Sequence, residues 1–243
     1  MTTLVRSAIA FIVAIFLSSC GFDINIGDFG SGTPGDGNVV TENREISGDF
    51  SEIASSEGLE VIISQEDNYK IKVEADENII DLIATDIKDG KLKIHARENI
   101  GRATKKIYVS LPEIEVLKAS SGSYLKAENS ITSGDLEIDG SSGARMVVEL
   151  DAASVMIDAS SGAHLTISGE ADQSNVDVSS GGNINAKDLQ VQSCNAEASS
   201  GGNVKIMVTK NLVAEASSGG NISYSGDPEV SQKKSVSGSV HQY

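Results

Sequence analysis

The chain has no tryptophan, three prolines, three histidines and two cysteines among 243 residues, with only five phenylalanines and five tyrosines. Each shortage removes a class of answer. A core short of large aromatics must be built from small and β-branched side chains, which suit narrow sheets better than a large globule. The three imidazoles, His95, His164 and His241, stand outside metal-ligand spacing of one another and of either cysteine, so no zinc-type motif is present and no cofactor is implied. Positive charge is scarce too: 19 Lys and Arg against 35 Asp and Glu leave a formal charge of −16. An acidic surface repels phosphates, which argues against nucleic acid. The acids are spread along the chain, so solubility is their simplest meaning.

The two cysteines have separate fates. A single Arg6 precedes an apolar run from Ala8 to Leu17, which leads into Leu17-Ser18-Ser19-Cys20-Gly21. A short positive region, a hydrophobic stretch too short to span comfortably and small residues before a cysteine describe a cleaved export signal over residues 1–19. Leu-Ser-Ser-Cys is similar to a bacterial lipobox, in which Cys20 is lipidated and the membrane becomes a partner through that anchor. The alternatives are an ordinary signal peptide or an uncleaved anchor. With Cys20 acylated, Cys194 has no partner and no disulfide framework exists. Residues 20–38 are Gly-rich and read as a flexible tether, with folding expected to begin near Val39.

From Val39 to Leu117, period-two runs such as Leu59–Ile63, Tyr69–Val73, Lys91–Ile94 and Ile107–Leu111 predict half-buried strands. Asp76–Ile83 differs: its apolar residues fall at three- and four-residue spacing behind an acidic start, which predicts one short helix.

Plentiful serine and glycine then take over. Ser-Ser-Gly begins at Ser120, Ser141, Ser160, Ser179, Ser199 and Ser217, in steps of 21, 19, 19, 20 and 18, with a degenerate seventh copy at Ser235–Ser239. Five residues after each first serine stand Leu125, Met146, Leu165, Ile184, Val204 and Ile222; seven after it stand Ala127, Val148, Ile167, Ala186, Ile206 and Tyr224. Small residues precede each triplet, and Leu117, Ile138, Ile157, Val176, Ala196 and Ala214 stand three before it. Same-face positions two apart place one strand before and one after each triplet, with the triplet as the bend. Neither strand buries its face alone, so coils must stack about 4.8 Å apart. The result is an all-β parallel β-helix (β-solenoid) with coils of about 20 residues over 119–240, behind an N-terminal β-rich portion with one short helix that caps or begins the same solenoid. Glycine supplies the positive φ of the bend, and the serine hydroxyls are expected to bond backbone groups left unpaired there.

Parity puts Tyr124, Arg145, His164, Asn183, Asn203 and Asn221, four after each first serine, on the outside as a candidate binding face. Stacked Asn183, Asn203 and Asn221 predict an amide ladder that steadies the rod, or else a flat hydrogen-bonding strip for a sugar or strand. Glu137, Asp158, Asp177 and Glu197 read as an outward carboxylate ladder, chiefly solvated edge charges that discourage sideways pairing. Cys194 falls in an interior column and reads as a small hydrophobe.

With these residues in view, the chain resembles the auto-transporter adhesin "head GIN" domain family of bacterial envelope proteins, especially Bacteroidetes lipoproteins. The resemblance covers roughly 43–240 and rests on Arg44-Glu45-Ile46-Ser47-Gly48-Asp49-Phe50-Ser51-Glu52-Ile53, on Val73-Glu74-Ala75-Asp76-Glu77-Asn78, on the triplets, and on Tyr224-Ser225-Gly226-Asp227-Pro228 ahead of Ser237-Gly238-Ser239. It implies one β-helical envelope domain over 39–243 with no catalytic residues to carry over. Right-handedness follows from the resemblance and the general preference of parallel crossovers. The function implied is a membrane-anchored, non-enzymatic adhesin or binding scaffold of the cell envelope, with a glycan or protein partner, held at the outer membrane on its surface or periplasmic side. The alternatives are a periplasmic structural or regulatory lipoprotein contacting another envelope protein and, more remotely, a glycan-active β-helix enzyme.

Overall fold

A computed structural model describes residues 32–233 and 237–243. The expected signal peptide, Cys20 and the first part of the expected tether lie outside the described residues, as do Ser235 and Val236 of the seventh repeat. In chain order the strands are β1 (Val39–Asn43), β2 (Glu52–Ser55), β3 (Glu60–Gln65), β4 (Lys70–Asp76), β5 (Ile83–Lys88), β6 (Lys91–Ala96), β7 (Lys105–Leu111), β8 (Val116–Ala119) and β9 (Tyr124–Ala127). They continue as β10 (Ile131–Gly140), β11 (Arg145–Ala159), β12 (His164–Val178), β13 (Asn183–Ala198), β14 (Asn203–Ala216), β15 (Asn221–Ser225), β16 (Glu229–Lys233) and β17 (Ser239–Gln242).

The bend is tighter than glycine alone would make it. In all six triplets the second serine is left-handed, with φ from 47° to 50°, and the glycine follows at 72° to 78°. Two successive positive φ values define a type I′ turn. The next residue closes it by donating its N–H to the first serine's carbonyl, as Ala163 does to Ser160 at 3.0 Å and Gly220 to Ser217 at 2.7 Å. A non-glycine residue in this region costs about 1–2 kcal/mol, and stacking supplies the compensation. The Gly143 N–H donates to the Ser161 carbonyl of the next coil, Gly162 to Ser180, Gly181 to Ser200 and Gly201 to Ser218, at 3.0 to 3.2 Å. The serine hydroxyls do not perform the expected service: among the described residues no triplet hydroxyl hydrogen-bonds the bend. The backbone pairs with itself from coil to coil and leaves each second serine exposed.

Between bends β10, β11, β12, β13 and β14 stack parallel, each pairing with its successor. The predicted inward columns are the core. Leu125, Met146, Leu165, Ile184, Val204 and Ile222 are all buried, and so are the residues one and three before each triplet. Of the column seven after the first serine, only Ala127 and Tyr224 are half-buried. The uneven step has a local cause: Thr166 pairs with Asn185 but Ser168 with Asp188, so β13 carries one extra residue as a bulge.

The N-terminal portion begins the same solenoid, but out of sequence. Ser56-Glu57-Gly58 is another copy of the bend, with φ of 61° at Glu57 and 65° at Gly58. The coil it joins, β2 and β3, lies parallel between two coils that come later in the chain: β2 pairs with β6 and β8, and β3 with β7 and β9. Antiparallel strands then close that end, β5 on β6, β4 on β7 and β1 on β4. Each covers an edge that a parallel coil would leave open. The expected helix is one 3₁₀ turn, Ile80–Leu82. Only six residues separate β4 from β5, and the turn suffices to bury Ile79, Ile80 and Ile83.

The compact unit starts at Gly32, ahead of the expected Val39. Glycine content suggested freedom, but the backbone of this stretch is occupied. Thr33 N–H donates to Asn99 O and Gly35 N–H to Arg102 O, both at 3.0 Å. The buried Asp76 carboxylate accepts the Gly37 and Thr104 N–H groups, both at 2.6 Å, and Asn78 Nδ2 donates to Pro34 O at 2.8 Å. Asp76 therefore ties the docked segment to the cap.

Two stability outcomes follow. Gly162 has φ of 75° and open space around an added Cβ, so Gly162→Val adds backbone strain alone, about 1–2 kcal/mol. Gly169 has φ of 111°, and its Cβ would overlap the Leu150 carbonyl of the coil beneath. Gly169→Ala should therefore lower Tm more than Gly162→Val; the reverse order in thermal melts would contradict the stacking described. Asp76→Ala strands two N–H donors, at about 1–3 kcal/mol. Hydrogen exchange should then rise first at Gly37, Thr104 and β1, and a loss spread evenly over the solenoid would rule out the local tie.

Candidate binding faces

Outward rows flank the bend on both sides, and their chemistry is segregated. After the bend, Tyr124, Arg145, His164, Asn183, Asn203 and Asn221 stand in one continuous ladder, each paired with the next. Two residues further on runs a parallel ladder of Lys126, Val147, Thr166, Asn185, Lys205 and Ser223. The parallel register brings all six sequence-predicted face residues together. Not one of these twelve positions is a carboxylate, in a chain with 35 acids.

The predicted amide ladder does not form. Asn203 Nδ2 donates back to Gly201 O at 3.0 Å, and Asn221 Nδ2 to Ser223 Oγ at 3.4 Å, so the three asparagines make no hydrogen bond to one another. His164 likewise bonds its own bend, Nδ1 to Gly162 O at 2.9 Å. An amide ladder exists elsewhere, where Asn195 Nδ2 donates to Asn175 Oδ1 at 3.1 Å. Turning back to the bend leaves acceptor oxygens and further N–H groups of the face without protein partners. Asn185 Oδ1, on the second ladder, is a buried acceptor with no hydrogen bond among the described residues. Asn185 lines a shallow groove of about 370 Å³ with Asn183, Lys187, Asn203, Lys205 and Asn221. Sequence reasoning missed this second ladder because its members lack a run of one residue type such as Asn183, Asn203 and Asn221 give the first.

Before the bend the picture inverts. Asp139, Asp158, Asp177, Glu197 and Glu215 form the carboxylate ladder. Glu137, expected as a member, stands two residues away opposite Met156 and forms an ion pair with Lys118 at 2.6 Å. Glu137 stands four residues before its triplet, whereas Asp139, Asp158, Asp177 and Glu197 stand two before theirs. Nor do these acids guard a sheet edge, since Asp158, Asp177 and Glu197 each have a paired strand on both sides. Burial, then repulsion from Asp177, Asp139 and Glu137, holds the Asp158 carboxyl above its ordinary value.

The remaining candidates stand apart. His95 Nε2 lies 2.9 Å from the Asp86 carboxylate on the cap, and this hydrogen bond holds Asp86 below its ordinary value. Burial pushes the Cys194 thiol up to about 11, with the neighbouring Ser174 hydroxyl pulling weakly the other way. That suits an inert interior side chain. Among the described residues no group of three or more His, Cys, Asp or Glu is placed to hold a metal ion.

The family model described as "Putative auto-transporter adhesin, head GIN domain" matches residues 49–228. Among solved structures, a "putative adhesin" from Bacteroides fragilis is 18% identical with a TM-score of 0.79, over 87% of this chain and 100% of that one. A "putative adhesin" from Parabacteroides distasonis is 24% identical with a TM-score of 0.71, over 87% and 99%. A "Putative lipid binding protein" from the same species is 23% identical with a TM-score of 0.68, over 86% and 98%. At such identities the likeness is one of fold. Among functionally curated proteins none matches the sequence. The family match spans well over half of the residues, from the strands of the N-terminal cap through the last complete coil, and the chain belongs to this auto-transporter adhesin head GIN family.

Proposed function

We propose that the protein is a lipid-anchored, non-enzymatic scaffold of the cell envelope, held to the outer membrane through Cys20 and binding its partner through the rows that follow the bend. The observation that carries this reading is the ladder from Tyr124 to Asn221, backed by Lys126, Asn185 and Lys205. It is a flat, regular strip whose amides bond neither each other nor their neighbours across coils. Polar groups left open along a rigid face are the means by which a β scaffold recognises an extended partner. The adhesin family supports the same direction. The carboxylate ladder on the other side of the bend acts by repulsion, excluding anions from that side.

Protease shaving of intact cells, with a lysed control and a Cys20→Ala variant, tests the placement. Release of the domain from intact cells, together with loss of membrane association in the variant, is the expected result. Protection until lysis would move the domain to the periplasmic side, and membrane retention of the variant would remove the lipid anchor.

The repulsive role of the acid ladder has a pH signature. Ionising Asp158 opposes folding because its folded-state pKa lies above its unfolded value. That penalty is absent below the unfolded pKa and enters as pH rises through the folded-state value. Asp158→Asn should therefore raise Tm at pH 7 and leave it unchanged near pH 3. A lower Tm at pH 7 would show that the carboxylate is favourably paired.

A further inference from the structure

We infer that the face after the bend takes an acidic glycan, laid along the solenoid axis; this rests on the binding reading above and names its ligand class. Charge selects the sign. Between Tyr124 and Ser223 the two ladders hold Arg145, Lys126 and Lys205 without a carboxylate, and among the described residues none of these three cations is in an ion pair. In a chain of formal charge −16, this strip offers an anion cations with no acid among them. The rows preceding the bend, from Glu137 to Glu215, hold six acids and no cation over ten equivalent positions.

Hydrogen bonding selects the class. Among the described residues the side-chain oxygens of Asn183, Asn203 and Asn221 receive no hydrogen bond from the protein, and the three asparagines line one groove with Lys205. An ionised sulfate or carboxylate only accepts, and cannot satisfy these oxygens. A sugar hydroxyl donates and accepts at once. It can give its proton to an asparagine Oδ1 of this row and take one from Asn183 Nδ2 or the Lys205 ammonium, which line the same groove. The ligand must therefore carry hydroxyls for the amides and an anionic group for the cations, and an acidic sugar carries both. Repetition suits a chain of such sugars. The coils present the same two positions every 4.8 Å or so, over roughly 24 Å from Tyr124 to Asn221, close to one sugar ring per coil. An extended acidic peptide advances about 3.4 Å per residue and alternates its sides, so it falls out of step within a few coils.

The test uses the mature chain on an array of uronate-, sialate- and sulfate-bearing glycans with neutral counterparts, followed by fluorescence polarisation with the strongest acidic hit, its carboxyl- or sulfate-free form and a polyglutamate peptide. The expected result is preference for an acidic glycan, weakened by salt, and an affinity loss of about tenfold or more in Lys205→Glu and in Asn183→Ala. Lys88→Glu makes the same charge change on the distant cap and should bind as wild type. Melting curves confirm that each variant folds. The inference is overturned by binding to no acidic glycan, by equal affinity for the uncharged form, by polyglutamate binding as tightly, or by an unchanged Asn183→Ala. Surface release by protease alongside any of these outcomes would leave the scaffold reading standing and remove only its ligand.

Discussion

Everything in the rod depends on two consecutive left-handed residues per coil. Alone, the second serine of each triplet would disfavour that conformation, and glycine would only permit it. What fixes it is the neighbour: the glycine N–H of one coil meets the serine carbonyl of the next, so a bend is stable because another bend lies on it. This makes the solenoid cooperative along its axis, with coils that specify one another and terminal coils that need a different solution. At the N-terminal end that solution is the antiparallel closure by β1, β4 and β5.

The fold was largely legible because a solenoid writes its geometry into spacing. Period-two columns around a constant triplet locate the core, and Leu165, Ile184 and Val204 are buried where the columns put them. What spacing cannot carry is order among coils. Ser56-Glu57-Gly58, followed by Leu59, Val61 and Ile63, repeats the bend and its inward column, yet it stands far from the periodic region and one serine is replaced by glutamate. Its lodging between the β6–β7 and β8–β9 coils is a non-local fact, set by which strand edges remain to be covered. The docked segment from Gly32 was hidden for a related reason. Composition reports intrinsic freedom, whereas Asp76 removes it through hydrogen bonds made 39 residues away.

The binding face shows the same division. The outward ladder from Tyr124 to Asn221 could be read directly, since parallel pairing at constant spacing carries a column into a row. The behaviour of its side chains could not. Asparagines stacked at coil spacing have two choices, each other or the nearby bend, and the type I′ turn leaves the carbonyl of Gly201 within reach of Asn203. Where no such turn carbonyl competes, as at Asn175 and Asn195, the ladder bond forms. The bend that holds the rod together thus also decides which amides stay open.

Segregated charge completes the argument. The acid ladder and the cation-bearing strip lie on the two sides of a single bend, separated only by the triplet and its immediate neighbours. At physiological ionic strength charges influence one another over about 8 Å, so each coil is felt chiefly by its nearest coils and by what docks on them. The net charge of −16 is therefore a sum over sides of unlike composition, and near any one coil the local rows count for more than the total. The acids that repel anions from the side before each bend are absent from the two rows after it, and both sides are aligned along the axis by the same stacked backbone that fixes the fold.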